Sequence, residues 1–177
     1  EPRLVQACER VVVIDHHRRS EEFINDAILV YMEPYASSTC ELVTELLQYF
    51  DERLRMDVLE ATALLAGIVV DTNHFTVRTG SRTFEAAGFL RRSGADSGLI
   101  REMLKENLDE YLQKADIIRR AKILFGGVAV ASAEPGKKVT PLLVAQTADA
   151  LLEMNGITAS FVLAERPDGL IGISARS

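Results

Sequence analysis

Asp15-His16-His17 follows directly on the apolar run Val11-Val12-Val13-Ile14, so a fully buried strand is expected to hand three metal-capable side chains to its C-terminal end. In open α/β sheets, ligands bind at that end. A second set, Asp71-Thr72-Asn73-His74, comes straight after the apolar stretch Val58 to Val70. If the two excursions converge, they form a cluster of imidazole and carboxylate donors. Such donors suit manganese, iron or zinc, whereas an all-oxygen set would favour magnesium or calcium. Manganese is the first choice. A cation there would polarise a phosphoryl oxygen and lower the pKa of water. Two ions held about 3.5 to 4 Å apart need several carboxylates, one of them bridging. The chain offers too few beside its two motifs, so the expectation is half of a two-metal site. His74 reads as a loop histidine.

The elements that must position these residues are legible from periodicity. Ala27 to Met32 is a second apolar run after the polar stretch Arg18 to Asp26, and both runs fit a parallel sheet. Pro34 to Ser38 breaks regular structure. Ser38 and Glu41 form a capping-box pattern ahead of a helix from Thr39 to Phe50. Val58 to Val70, apolar nearly all round, predicts a buried helix. Ser81 to Arg92 predicts a short helix ended by Gly94-Ala95-Asp96. The charged, amphipathic run Ser97 to Leu124 predicts a helical connector between two lobes. After Gly126-Gly127 the pattern reads as a small β-α-β-β unit: Val128 to Ala131, a helix from Thr140 to Met154, then strands Ala159 to Ala164 and Leu170 to Ser174.

At 177 residues, 47% of them hydrophobic, the chain can bury one good core or two small ones. A net charge of −6 argues against a broad duplex nucleic-acid footprint, so a phosphorylated substrate must meet cations locally. Arg78, Arg82 and Arg176 are candidates for that contact. The Ser37-Ser38-Thr39 helix start could hold an anion, though ordinary capping explains it equally. No apolar stretch approaches the roughly 20 residues of a membrane span. Cys8 and Cys40 lack metal-site or disulfide spacing, which favours a reducing compartment. Glu1-Pro2 at the start, and a strand-like segment running up to Ser177, read as an excised piece.

Three segments together carry a specific resemblance: Val11 to His17, Glu33-Pro34-Tyr35-Ala36-Ser37-Ser38-Thr39, and Gly67-Ile68-Val69-Val70-Asp71-Thr72. They resemble the DHH phosphoesterase family. The run Asp71 to Ala87, with Phe75, Arg78-Thr79, Arg82-Thr83 and Phe84-Glu85-Ala86-Ala87, is similar to its cyclic-di-AMP phosphodiesterase subgroup. Ile173-Ser174-Ala175-Arg176-Ser177 resembles a strand of the DHH-associated domain.

The resemblance implies an α/β fold: a parallel-sheet DHH lobe over 1–96, a helical connector over 97–125 and a smaller, incomplete DHH-associated lobe over 126–177. It implies His16 and Asp71 as metal ligands, His17 facing the phosphate and Asp15 orienting its neighbours as catalytic residues, and two manganese ions per complete site. It places Arg176 in a substrate-binding strand. It also implies further ligands upstream of Glu1 and a Gly-Gly-Gly-His substrate loop after Ser177, so the piece alone is expected to bind metal weakly and turn over little. The implied activity is hydrolysis of cyclic-di-AMP to linear pApA. The implied setting is the cytoplasmic part of a membrane-anchored bacterial protein carrying PAS and degenerate GGDEF domains.

Within the same chemistry, an oligoribonuclease or a bisphosphate nucleotidase is the alternative, acting on linear dinucleotides or short oligonucleotides. A non-catalytic nucleotide-binding module and a simple homodimerising piece are the readings from other classes. Direct membrane contact by this chain is not expected.

Overall fold

The structure is a computed structural model that describes residues 5–19, 23–50 and 55–177. Glu1 and Pro2, and part of the polar stretch 18–26, lie outside the described residues. The chain divides into two compact units, Glu1–Leu104 and Lys105–Ser177.

The first unit begins with β1 (Val12–Asp15) and β2 (Leu29–Met32). They pair in parallel, from Val12 opposite Leu29 to Asp15 opposite Met32. The Glu33 N–H extends the ladder to the Asp15 carbonyl at 3.0 Å. Four helices follow: α1 (Thr39–Phe50), α2 (Val58–Asp71), α3 (Ser81–Arg92) and α4 (Ser97–Met103). Leu42, Ala61, Ile68 and Leu90 are completely buried among them. Gly67 allows α1 and α2 to approach closely, since a Cβ there would lie 2.3 Å from the Cys40 sulfur.

Two expectations for this unit need correction. The strand after Val11 forms, but it is not fully buried: Val12 is 53% exposed, with Leu29 and Val30 also open. Among the described residues only β2 pairs with β1, so a continuous apolar run here does not mark a strand covered on both faces. The box at Ser38 is half made. Ser38 Oγ accepts from the Glu41 N–H at 3.0 Å, but the Glu41 carboxylate accepts from the Ser37 hydroxyl instead of closing back on Ser38. The reciprocal box is at α2, where Asp57 caps the Glu60 N–H and Glu60 caps the Asp57 N–H.

The charged run Ser97 to Leu124 is not one connector. α4 ends at Met103 and belongs to the first unit, with Ile100 in its core. A new helix, α5 (Leu108–Arg119), starts at Asn107, whose side-chain oxygen accepts from the Asp109 N–H at 2.8 Å. Lys122–Leu124 then forms β3, antiparallel to β4 (Val128–Ser132). The second unit therefore opens with α5, followed by a strand that helical periodicity concealed. Its sheet continues through α6 (Pro141–Leu152) to β5 (Ala159–Glu165) and β6 (Ile171–Arg176), in the order β3-β4-β5-β6. Ala129, Ala131, Val162 and Ala164 alternate along one sheet face and pack on Leu143, Val144, Ala148 and Leu151 of α6. Gly127, at φ +80°, sits against the Gly156 carbonyl, where a Cβ would come within 2.3 Å.

Candidate metal and phosphoester site

His16 and Asp71 come together. β1 ends at Asp15, which puts His16 in the turn just beyond the sheet, and its ring is 8% exposed. Asp71 is the last residue of α2, and its side chain is 39% exposed. The His16 Nε2 lies 3.7 Å from Asp71 Oδ2. That is too long for a hydrogen bond. Two donors each roughly 2.0 to 2.2 Å from one cation stand about 3 to 4 Å apart, so the separation suits a shared ion. His16 Nδ1 is buried without a hydrogen-bond partner among the described residues. A ligating imidazole ordinarily donates its other ring N–H to an acceptor.

The turn after α2 fixes Asp71. Thr72 is completely buried; its hydroxyl donates to the Ile68 carbonyl at 2.7 Å and accepts from the Phe75 N–H at 3.0 Å. Asn73, His74 and Phe75 are all left-handed, with φ of +44°, +57° and +63°. Backbone in that region is costly for residues with a Cβ and persists only where its surroundings hold it. Here the Thr72 bonds and the bond from His74 N–H to the Val69 carbonyl, 2.8 Å, do so.

His17 turns outward and is 75% exposed. Its Nδ1 is 2.7 Å from Asp15 Oδ1, which also accepts from the His17 backbone N–H at 3.1 Å. The His16 and His17 rings lie 4.4 Å apart and tilted. Partial burial pushes the Asp15 carboxyl up, but the hydrogen bonds and charge of His17, with a bond from the His16 backbone, outweigh it, and the group sits below its ordinary value. Asp15 therefore orients His17 and leaves the ring Nε2 facing outward. Cys40, on α1, is pushed up by burial and by the nearby Asp71 carboxylate.

The arginines divide. Arg82 was expected at a phosphate, but its guanidinium pairs with both Glu33 and Glu45, and hydrogen bonds to those two carboxylates raise its pKa. Arg176 lies in the second unit, bonded to Asp149, the Ser174 hydroxyl and the Ala175 carbonyl. Arg78 is exposed in the turn after α2 at φ +48°. Glu33 and Glu45 are the residues that the sequence reading missed. The signal for Glu33 was its place directly after the second apolar run, one residue beyond Met32, the partner of Asp15. Among the described residues, no cluster of three or more His, Cys, Asp or Glu side chains could hold a metal ion. Among the described residues, the donor set fits one cation with most of its coordination open and does not by itself supply the ligands of a two-ion centre.

Residues 2–68 match the DHH family, N-terminal domain. The chain is 56% identical over its whole length to the cyclic-di-AMP phosphodiesterase GdpP of Geobacillus thermodenitrificans, covering 27% of that protein. It is 51% identical over 98% of its length to the cyclic-di-AMP phosphodiesterase PdeA of Listeria monocytogenes, covering 26% of it. The chain thus spans about a quarter of the length of these relatives. An exopolyphosphatase-related protein from Bacteroides fragilis has the same fold, with a TM-score of 0.81 at 21% identity over 95% of this chain and 51% of that one. No helix among the described residues is long and apolar enough to cross a membrane. Residues 2–68, which carry the Asp-His-His turn at the end of β1, therefore belong to the DHH family's N-terminal domain.

Proposed function

We propose that the protein to which this chain belongs is a manganese-dependent phosphodiesterase that hydrolyses cyclic-di-AMP to linear pApA. The approach of His16 Nε2 to Asp71 Oδ2 carries the reading, supported by two relatives named for that activity. His16 and Asp71 would hold a divalent cation, which supplies charge neutralisation at the phosphoryl oxygens and hydroxide near neutral pH. Hydroxide adds to phosphorus and the P–O3′ bond breaks, leaving a 3′-hydroxyl and a 5′-phosphate. Asp15 holds the His17 ring by Nδ1, so that Nε2 can meet the phosphate or carry a proton to the departing oxygen. Arg78, exposed in the turn after α2, would supply a further phosphate contact. The substrate is a cyclic dinucleotide, with short linear oligonucleotides as secondary substrates.

Two donors leave most of a cation's coordination to water, so the 177-residue piece by itself binds manganese weakly and turns over little. Manganese-dependent conversion of cyclic-di-AMP to pApA by the full-length protein tests the proposal. His16→Asn and Asp71→Asn are each expected to lower it by more than about 100-fold. Full activity in both variants, or equal turnover by the short piece, would overturn it.

A further inference from the structure

The first unit contains a cavity that the phosphoester chemistry does not use. Its volume is about 600 Å³ and it lies among α2, the turn after α2, α3 and α4. That size falls in the range of small-molecule sites, roughly 300 to 1,000 Å³. Leu65 and Val69 line it from α2. At 100° per residue, Asp71 projects roughly 120° to 160° round the helix from these two, so the cavity and the His16–Asp71 pair use different faces of α2.

Two properties of the lining point to a ligand class. The first is aromatic. Phe75 and Phe84 stack with ring centroids 5.6 Å apart and planes 16° from parallel, yet Phe84 remains 58% exposed. A large ring left open to water gains from a second planar ring laid against it. The second is electrostatic. Arg91, Arg101 and His74 line the cavity and no acidic side chain does, in a chain whose net charge is −6. Arg91 is pinned by a bond from Nη1 to the Ala95 carbonyl. Arg101 has no ion-pair partner among the described residues.

We propose that this cavity binds a small organic anion with a planar aromatic body, its rings against Phe75 and Phe84 and its anionic group at Arg101 and Arg91. The site is separate from the proposed phosphodiesterase centre.

Fluorescence titration of the full-length protein with 8-anilinonaphthalene-1-sulfonate tests the proposal, with the neutral N-phenyl-1-naphthylamine as a second probe. The sulfonate is expected to bind at one site per chain. Arg101→Glu is expected to weaken it about 10-fold while leaving the neutral probe unchanged. Gly88→Phe, a bulky substitution at a residue of α3 that lines the cavity, is expected to abolish both. His16→Asn is expected to change neither, so loss of the hydrolase reading would leave this result standing. Circular dichroism and the melting temperature show whether each variant is folded. Sulfonate binding unaffected by Arg101→Glu and Gly88→Phe in folded protein would overturn the proposal. So would sedimentation showing a dimer that either substitution dissociates, which would make the occupant a second copy of the chain.

Discussion

Arg82 on α3 grips Glu33, the residue after β2, through Nη1 to Oε1 at 2.5 Å and Nη2 to Oε2 at 3.1 Å. The same guanidinium reaches Glu45 on α1 through Nε at 2.8 Å and Nη2 at 2.7 Å. Because the Glu33 N–H also bonds the Asp15 carbonyl, one arginine ties two helices to the strand ends that carry the Asp-His-His turn. Burial of the Tyr31 phenol and its hydrogen bond to Glu33 raise the tyrosine's pKa, against the lowering effect of the Arg82 charge.

Arg82→Ala is therefore expected to destabilise the fold by about 1 to 2 kcal/mol, since charge-assisted bonds are lost but the site is partly exposed and solvent screens it. Arg82→Lys should recover only part of this, because an ammonium cannot span two carboxylates in the same fork. Urea denaturation measures both. Equal stability of the alanine variant and the wild type would show that the fork does not hold the corner together.

Gly67 and Cys40 make a sharper test. Gly67→Ala puts a Cβ 2.3 Å from the Cys40 sulfur, and overpacking of that kind costs about 1 to 3 kcal/mol. Cys40→Ala removes the sulfur but keeps the Cβ of residue 40 at 3.2 Å, so in that background Gly67→Ala should cost much less, offset by a helix-propensity gain of up to about 1 kcal/mol. A double-mutant cycle reads the coupling between the two positions. Additive effects would mean that the two helices do not meet as described.

Thr72 closes the turn behind Asp71. Thr72→Val keeps the shape but strands the Phe75 N–H and removes the bond to the Ile68 carbonyl. A loss of about 1 to 3 kcal/mol follows. Faster amide exchange at Phe75 and Val77 should accompany it, and unchanged exchange there would count against the role given to the hydroxyl.

Asp15 sets a pH dependence. Its folded value lies below the ordinary 3.8, so the ionised carboxylate is the form that favours folding. The stabilisation is complete above 3.8 and disappears as pH falls through the lower, folded value. The stability difference between wild type and Asp15→Asn should stay level between about pH 5 and 7 and shrink below about pH 4. Stability curves that stay parallel throughout would show that His17 does not hold the carboxylate in its charged form.

Several parts of this protein were readable before any fold was known. The Thr39–Phe50, Val58–Asp71 and Ser81–Arg92 helices carry apolar spacing and end signals within themselves, and the parallel pair β1 and β2 follows from two apolar runs. The Asp-His-His and Asp-Thr motifs were visible as motifs. The connector was misread because Arg101, Glu102, Lys105 and Glu106 keep a helical charge rhythm across a break that a single Asn107 cap creates.

What the sequence determined alone was local: which segments become helix or strand, and which side chains sit at their ends, because periodicity and capping act over only a few residues. The tertiary structure decided what those ends meet. Only packing brings the His16 ring to Asp71, commits Arg82 to Glu33 and Glu45 in place of a phosphate, and opens a cationic, aromatic cavity on the other face of α2. Each joins residues far apart in the chain, and their distance in space follows from how Gly67 and its neighbours let the helices approach.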